Sequence, residues 1–384
     1  MSVSIGLFGA GWRMRSVLGK ITALDTGIRV ASVYDPLPAS HEAMRERLGY
    51  DYHQALTEEA VIAHPEVDWV FIGSWNAFHA RQAVAALDAG KHVFCEKPLA
   101  ISLEECLAIR DAVDRSGKQF VFGLVLRYSP HYQRLYELVS SGVIGRVLSF
   151  EFNETLGFQH GGYIFGNWRR QRAQAGTHLL EKCCHDLDLA NWLSGSLPVR
   201  AASFGGRGFF LPENRTQTER IGLGPRERQP FLSPDDPEAV DPFGGSADIV
   251  DHQVAILEYA NGIRATFHTN VCTAITERRF YLCGTEGTIR ADAASGLIEC
   301  RRTGWDSPTE VYDSRHAGGH AGGDEVMAEA LVASMKRGAS PLTSVTHGLH
   351  SAIAAFGIDQ ALDEGCVMDL RPLWRRAGID PDHP

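Results

Sequence analysis

The 384-residue chain is short of positive charge: 37 Lys+Arg stand against 47 Asp+Glu, for a net charge of −10. Such a surface repels phosphate backbones and anionic lipid, which argues against nucleic-acid and membrane partners. No apolar run approaches the roughly 20 residues that span a bilayer. The first residues, Met1 to Gly11, carry no basic segment and no small-residue cleavage site, so no signal peptide is expected. Its eight cysteines include no C-x-x-C spacing. That argues against a zinc ribbon or a disulfide framework and for reduced thiols in a cytoplasm. Adjacent Cys183 and Cys184 read as buried helix residues rather than a redox pair. What is present is ordinary for a globular protein, 44% hydrophobic and 22% charged, in a length that favours two domains.

The first third alternates short apolar runs with helical patterns. Strands are expected at Val3–Phe8, Ile28–Tyr34, Trp69–Gly73, His92–Cys95 and Gln119–Val125. Helices are expected up to about Asp25, over Pro38–Leu48 and Phe78–Ala89, and from Ser102, where Glu105 completes a capping box. This alternation predicts a parallel, doubly wound α/β sheet. After about residue 126 the pattern becomes α+β. A helix over Ser129–Ser140 precedes a strand at Val147–Asn153, a Gly-, Arg- and Gln-rich stretch from Gly157 to Gly176, and a helix from His178 to Leu193. Strands then dominate, with Asn261-Gly262 marking a hairpin, and two helices close the chain. The expected domains are 1–126 and 127–384, the second built on a large, mostly antiparallel sheet. Residues 207–245 form a polar, Pro- and Gly-rich insertion, too long for an incidental connection.

Gly9-Ala10-Gly11-Trp12-Arg13-Met14 follows the first strand and opens a helix. The first glycine permits a tight turn, and the second lets a pyrophosphate reach the amides of the helix N-terminus. Met14 stands where a third Gly or Ala is usual, which would loosen helix–strand packing. Asp35 ends the second strand, 24 residues past Gly11. A carboxylate there accepts from an adenosine ribose and repels a 2′-phosphate, favouring NAD over NADP. The plainer alternative is a glycine-rich turn beside a solvated aspartate. Candidate cofactor contacts are Gly9, Gly11, Trp12, Arg13, Asp35 and Ser74. Glu96, Lys97 and Pro98 join them, because they place charges where a buried strand leaves its sheet.

With these residues on view, Ala86-Leu87-Asp88-Ala89-Gly90-Lys91-His92-Val93-Phe94-Cys95-Glu96-Lys97-Pro98-Leu99 resembles the "AL-x-x-GKHV-x-x-EKPL" signature of the glucose–fructose oxidoreductase / inositol dehydrogenase / MocA (Gfo/Idh/MocA) family. Arg127-Tyr128-x-Pro130, Gly284-Thr285-Glu286-Gly287-Thr288 and His320-x-x-x-Asp324 are similar to further family positions, so the resemblance covers nearly the whole chain. It implies a Rossmann NAD-binding domain with Asn76 and His79 beside the cofactor. It also implies a cis Lys97–Pro98 peptide, with the lysine projecting toward the nicotinamide.

Glu181, His185 and Asp188 are spaced i, i+4 and i+7, on one helix face. The family pattern is Asp-x-x-x-His-x-x-Asp, so Glu181 is one methylene longer than the usual residue. Hydride removal from a carbinol requires loss of the hydroxyl proton. A neutral histidine with an orienting carboxylate suits that step, and a lysine ammonium stabilises the alkoxide. Lys97, His185, Glu181 and Asp188 are therefore the catalytic candidates. Arg127, Tyr163, Trp168, Arg169, Lys182 and His320 are the candidates for binding a polyhydroxylated substrate, and Asp186 could also reach a hydroxyl. The alternatives for the helix are a solvated stripe or a metal site from Cys184, His185 and Asp188; no metal is expected. For the loop residues the alternative is an oligomer contact, and for His316 and His320 no role at all. The expected activity is NAD-dependent oxidation of a secondary hydroxyl on a sugar, glycoside or cyclitol, by a homodimer or homotetramer. A glycoside-cleaving enzyme that retains NAD, and a non-catalytic cofactor sensor, are the competing classes.

Overall fold

A computed structural model describes residues 2–232, 239–316 and 318–383. By its contacts the chain forms two compact units, 1–130 with 317–352, and 131–316 with 353–384. A division at residue 126 alone does not anticipate the return of the 317–352 segment. Hydrogen bonds hold that segment to the first unit: Phe122 N–H donates to the Thr343 carbonyl at 3.3 Å, and Thr343 Oγ1 donates to the Phe122 carbonyl at 2.6 Å.

In the first unit, β1 (Val3–Phe8), β2 (Ile28–Tyr34), β3 (His53–Gln54), β4 (Trp69–Ile72), β5 (His92–Cys95) and β6 (Phe120–Phe122) form a parallel sheet in the order β3-β2-β1-β4-β5-β6. The central strands are apolar runs because both faces are covered: Ile5, Leu7, Phe8, Val70, Phe71, Ile72, Val93, Phe94 and Cys95 are all fully buried. β1 pairs with β2 on one side and β4 on the other, so the strand order reverses beside β1. Ligands of such sheets bind outside the carboxyl ends at that point. The Ser102 capping box forms in part: Ser102 Oγ accepts from Glu105 N–H, and the Glu105 carboxylate reaches the Ile101 amide. β3 and the helix Glu58–Ile62 are too short to leave a periodic trace in the sequence.

The second unit carries a nine-stranded sheet. Its strands are β7 (Val147–Gly157), β8 (Pro198–Gly206), β9 (His252–Tyr259), β10 (Arg264–Thr273), β11 (Arg279–Gly284), β12 (Gly287–Asp292), β13 (Leu297–Arg302), β14 (Thr309–Asp313) and β15 (Met368–Asp369). Their order is β14-β13-β12-β11-β7-β10-β9-β8-β15, antiparallel except between β7 and β10. The expected hairpin joins β9 to β10, and Gly262 supplies its turn with a φ of +88°. A helix over Phe158–Phe165, unexpected in so glycine-rich a stretch, precedes the helix His178–Ser194.

The 207–245 insertion, whose residues 233–238 lie outside the described residues, is a folded element. It contributes a short helix (Thr216–Ile221) and the buried aromatics Phe210, Phe231 and Phe243, which pack with Ile164, Phe165, Ile249 and Val271. No helix among the described residues is long and apolar enough to cross a membrane. Among the described residues the eight cysteines form no disulfide, and Cys183 and Cys184 are buried.

Candidate active site

The glycine turn is shaped by backbone contact. Gly9 has a φ of +81°, and a Cβ there would lie 2.7 Å from the Gly73 carbonyl and the Ser74 amide nitrogen. Only glycine combines that dihedral with that approach. Gly11 caps the helix Trp12–Leu24 with no side-chain cap, and a Cβ on Gly11 would meet nothing within 4 Å. Bare first-turn amides beside open space make a cradle for an anion, and a dinucleotide pyrophosphate fits it. Asp35 braces the turn: its carboxylate accepts from Ala10 N–H at 2.7 Å and from Leu37 N–H at 2.8 Å. Each oxygen keeps a second lone pair for a ribose hydroxyl. Met14 does not loosen the packing. It is fully buried, and it lies over Gly73, where a Cβ would come 2.3 Å from Met14 Cγ. The missing side chain has moved to the partner strand end.

The end of β5 is equally constrained. The Lys97–Pro98 peptide is cis, and Lys97 is half-buried. His79 is buried with Nδ1 2.8 Å from the Pro98 carbonyl and Nε2 3.2 Å from the Ser74 carbonyl. Burial pulls this imidazole below its ordinary value, and its contacts with the Pro98 and Ser74 carbonyls oppose that shift. His79 thus ties the two loops together, while Ser74 Oγ donates to Gln82. Asn76 is buried on the turn before the helix His79–Asp88, and Trp12 is 68% exposed.

Arg13, Glu96 and His320, the candidates for cofactor or substrate contact, form one network with Asp324. Arg13 Nε donates to Glu96 at 2.6 Å, its Nη1 donates to Asp324, and His320 Nδ1 lies 3.0 Å from Asp324. A cation this enclosed needs paired carboxylates. Burial pulls the Arg13 value down, but Glu96 and Asp324 more than restore it, while Arg13 and His320 hold Asp324 well below the carboxylate range. Arg127 is buried on the turn Val125–Tyr128. After burial itself, its charge is the leading cause that holds His347 and His350 neutral.

In the second unit the helix His178–Ser194 is capped by Thr177, whose Oγ1 accepts from Leu180 N–H and donates to the buried Asp359. Glu181, His185 and Asp188 are at most 6% exposed, so the solvated-stripe reading fails: nearly every face of this helix is covered. Of the six substrate candidates, Tyr163 and Trp168 come together around Arg169. The guanidinium lies 4.6 Å from the Tyr163 ring and 4.3 Å from the Trp168 ring, and its Nε donates to Glu181 at 3.1 Å.

Lys182 lies 3.5 Å from Glu154. Asp186 is fully buried and bonded twice to Arg278, at 2.8 and 2.7 Å, so it is not available to a substrate hydroxyl. Arg278 also pairs with Glu154 at 3.0 Å. Burial pushes Asp186 up to about 7. The same push on Glu154 is outweighed by Arg278 and Lys182, which hold it at about 2. The Lys182 cation in turn depresses His160.

Glu154 and Arg278 were not anticipated. The signal was an acid inside an apolar strand, on β7, with no visible partner. The described residues that converge as possible metal ligands are Glu154, Cys183 and Asp186, not Cys184, His185 and Asp188. Two cations already neutralise those carboxylates.

Comparison with known proteins fixes the lineage. Residues 3–124 match the oxidoreductase family NAD-binding Rossmann fold, and residues 136–363 match its C-terminal alpha/beta domain. The chain belongs to the Gfo/Idh/MocA oxidoreductase family. An inositol 2-dehydrogenase from Saccharopolyspora erythraea is 36% identical over 149 residues, 38% of this chain and 44% of that one. An oxidoreductase from Streptococcus pneumoniae is 29% identical over 53% of each chain. The chain thus spans about half the length of these curated relatives. An inositol 2-dehydrogenase from Burkholderia cenocepacia is 24% identical over 98% of this chain and all of its own. Among solved structures, a levoglucosan dehydrogenase in complex with NADH and levoglucosan shares the fold. Its TM-score is 0.78 at 19% identity, covering 96% of this chain and 100% of that one.

Proposed function

We propose that this member of the family is an NAD-dependent oxidoreductase that oxidises a secondary hydroxyl of a sugar, glycoside or cyclitol, or reduces the corresponding ketone. One observation carries the reading. The glycine cradle, Asp35 and the Glu96-Lys97-Pro98 segment share the carboxyl edge of one parallel sheet, where β1, β2 and β5 end. Bound NAD supplies the hydride acceptor. Gly9 and Gly11 admit its pyrophosphate, and Asp35 receives its ribose. Lys97 stabilises the developing alkoxide and relays its proton, and His185 is the partner acid/base. Asp188 orients His185. The names of the inositol and levoglucosan dehydrogenases support a polyhydroxylated, uncharged substrate class.

The same reading takes the protein to work in the cytoplasm as a homodimer or homotetramer. Phe204 and its ladder neighbour Val254 are 72% and 45% exposed, and nearby Ile256 is 59% exposed. This outward apolar patch on the nine-stranded sheet supports association between copies.

The test is NADH formation from NAD across monosaccharides, inositols and glycosides. Turnover with one class is the expected result. Protein that purifies with bound NAD, gives NADH with none of them and cleaves a glycoside would replace the dehydrogenase reading with the cleaving one.

A further inference from the structure

Arg169 is held from two sides, and only one of them is Glu181. The helix Phe158–Phe165 packs so closely on its surroundings that a Cβ on Gly161 would lie 2.0 Å from the Val271 carbonyl, and one on Gly162 would lie 2.0 Å from the Phe231 carbonyl. Phe231 belongs to the insertion. The insertion and the residues just after it bond onward to this helix and to the turn that follows it. Val240 N–H donates to the Gly166 carbonyl at 2.7 Å, Asp248 N–H donates to the Arg170 carbonyl at 3.1 Å, and Arg172 N–H donates to Asp248 Oδ1 at 2.7 Å.

The insertion is itself anchored. The buried Asp251 carboxylate accepts three successive backbone amides, Gly208 at 3.0 Å, Phe209 at 2.7 Å and Phe210 at 3.0 Å. Those bonds fix the aromatic cluster under the helix that carries Tyr163. Tyr163 and Trp168 then stack on Arg169, which reaches Glu181.

We propose that residues 207–232 and 239–251 are a positioning element for substrate binding: they set the Tyr163–Arg169–Trp168 stack, and through it the carboxylate of Glu181. The extra methylene of Glu181 follows from this arrangement, because the longer side chain meets a guanidinium held at a fixed place. Glu181 then serves substrate binding together with Arg169. A planar guanidinium packed on two rings offers its remaining N–H groups in a fixed fork, suited to vicinal hydroxyls of a neutral polyol. The assignment of substrate class rests on the function proposed above; the positioning itself does not.

Two variants test it. Asp251→Asn removes an acceptor from the three-amide anchor. Asp248→Ala removes the bond to Arg172 N–H from an accessible position and keeps the test decisive if the first variant folds poorly, and Asp248→Asn restores an acceptor. Hydrogen exchange on the full protein is expected to rise in residues 158–172 in Asp248→Ala, stay unchanged over 178–194, and return toward wild type in Asp248→Asn. With a polyol that gives NADH in the screen, KM for the polyol is expected to rise about tenfold in Asp248→Ala, with kcat and NADH affinity within about threefold. Unchanged exchange over 158–172, or an unchanged polyol KM, overturns the proposal. If no polyol gives NADH, the proposed function fails and the exchange experiment still decides the positioning.

Discussion

The two units build their candidate functional residues by different means. In the first, the cradle is almost entirely backbone: two glycines, an uncapped helix start and a carboxylate that braces the turn. In the second, the helix that carries His185 is surrounded by side-chain charge: Glu154, Lys182, Asp186 and Arg278 in one cluster, Arg169 and Glu181 in another. A backbone cradle tolerates change in most side chains and fails when a single Cβ is added. A charge cluster tolerates small changes in shape and fails when one partner is lost.

The largest effect should come from breaking the second kind of site. Arg278→Ala leaves two carboxylates buried without their main cation, and it should cost about 3–5 kcal/mol of stability, read by urea denaturation. Asp186→Asn sharpens the same point through pH. The folded value of Asp186 is raised to about 7, above an unfolded value of about 3.9. The folded state therefore holds a proton that the unfolded state has lost, and stability declines as pH rises through that interval. The Asp186→Asn variant should show a shallower decline in urea midpoints between pH 4 and 7 than wild type. Glu154 acts in the opposite sense and in another window. Its folded value of about 2 gives stability that is lost only as pH falls below about 4.

The first kind of site is broken by methyl groups, and its two glycines should respond differently. Gly9→Ala meets backbone at 2.7 Å with a positive φ, so about 1–3 kcal/mol of stability and NADH binding should go together. Gly11→Ala meets no protein atom, so its melting temperature should stay near wild type while NADH affinity falls about tenfold. Fluorescence titration with NADH beside a thermal melt separates the two. The smallest effect is expected for Thr177→Ala, which removes a helix cap and the donor to Asp359, at about 1 kcal/mol in the same melts.

The same contrast explains what could be read from the chain. Gly9, Gly11, Asp35 and the Glu96-Lys97-Pro98 segment were legible because turn, strand end and helix start are local in sequence. The exchange of a small residue from position 14 to Gly73 was not, since it joins separate strand ends. Nor was the diversion of Arg13 to Glu96 and Asp324, the latter more than three hundred residues away. The helix Phe158–Phe165 was hidden by Gly161 and Gly162, which read as helix breakers and are in fact demanded by the Val271 and Phe231 carbonyls. His185 was singled out by its spacing with Glu181 and Asp188, but that spacing does not show that Glu181 pairs with Arg169.

The most direct test of the account is hydride transfer in a single turnover at saturating NAD, with a polyol found in the screen, for Lys97→Ala and His185→Ala. Both variants should bind NADH as wild type does and transfer hydride at least ~100-fold more slowly. Near-normal transfer in both, with cofactor binding intact, would contradict the assignment of proton transfer to this lysine and this histidine.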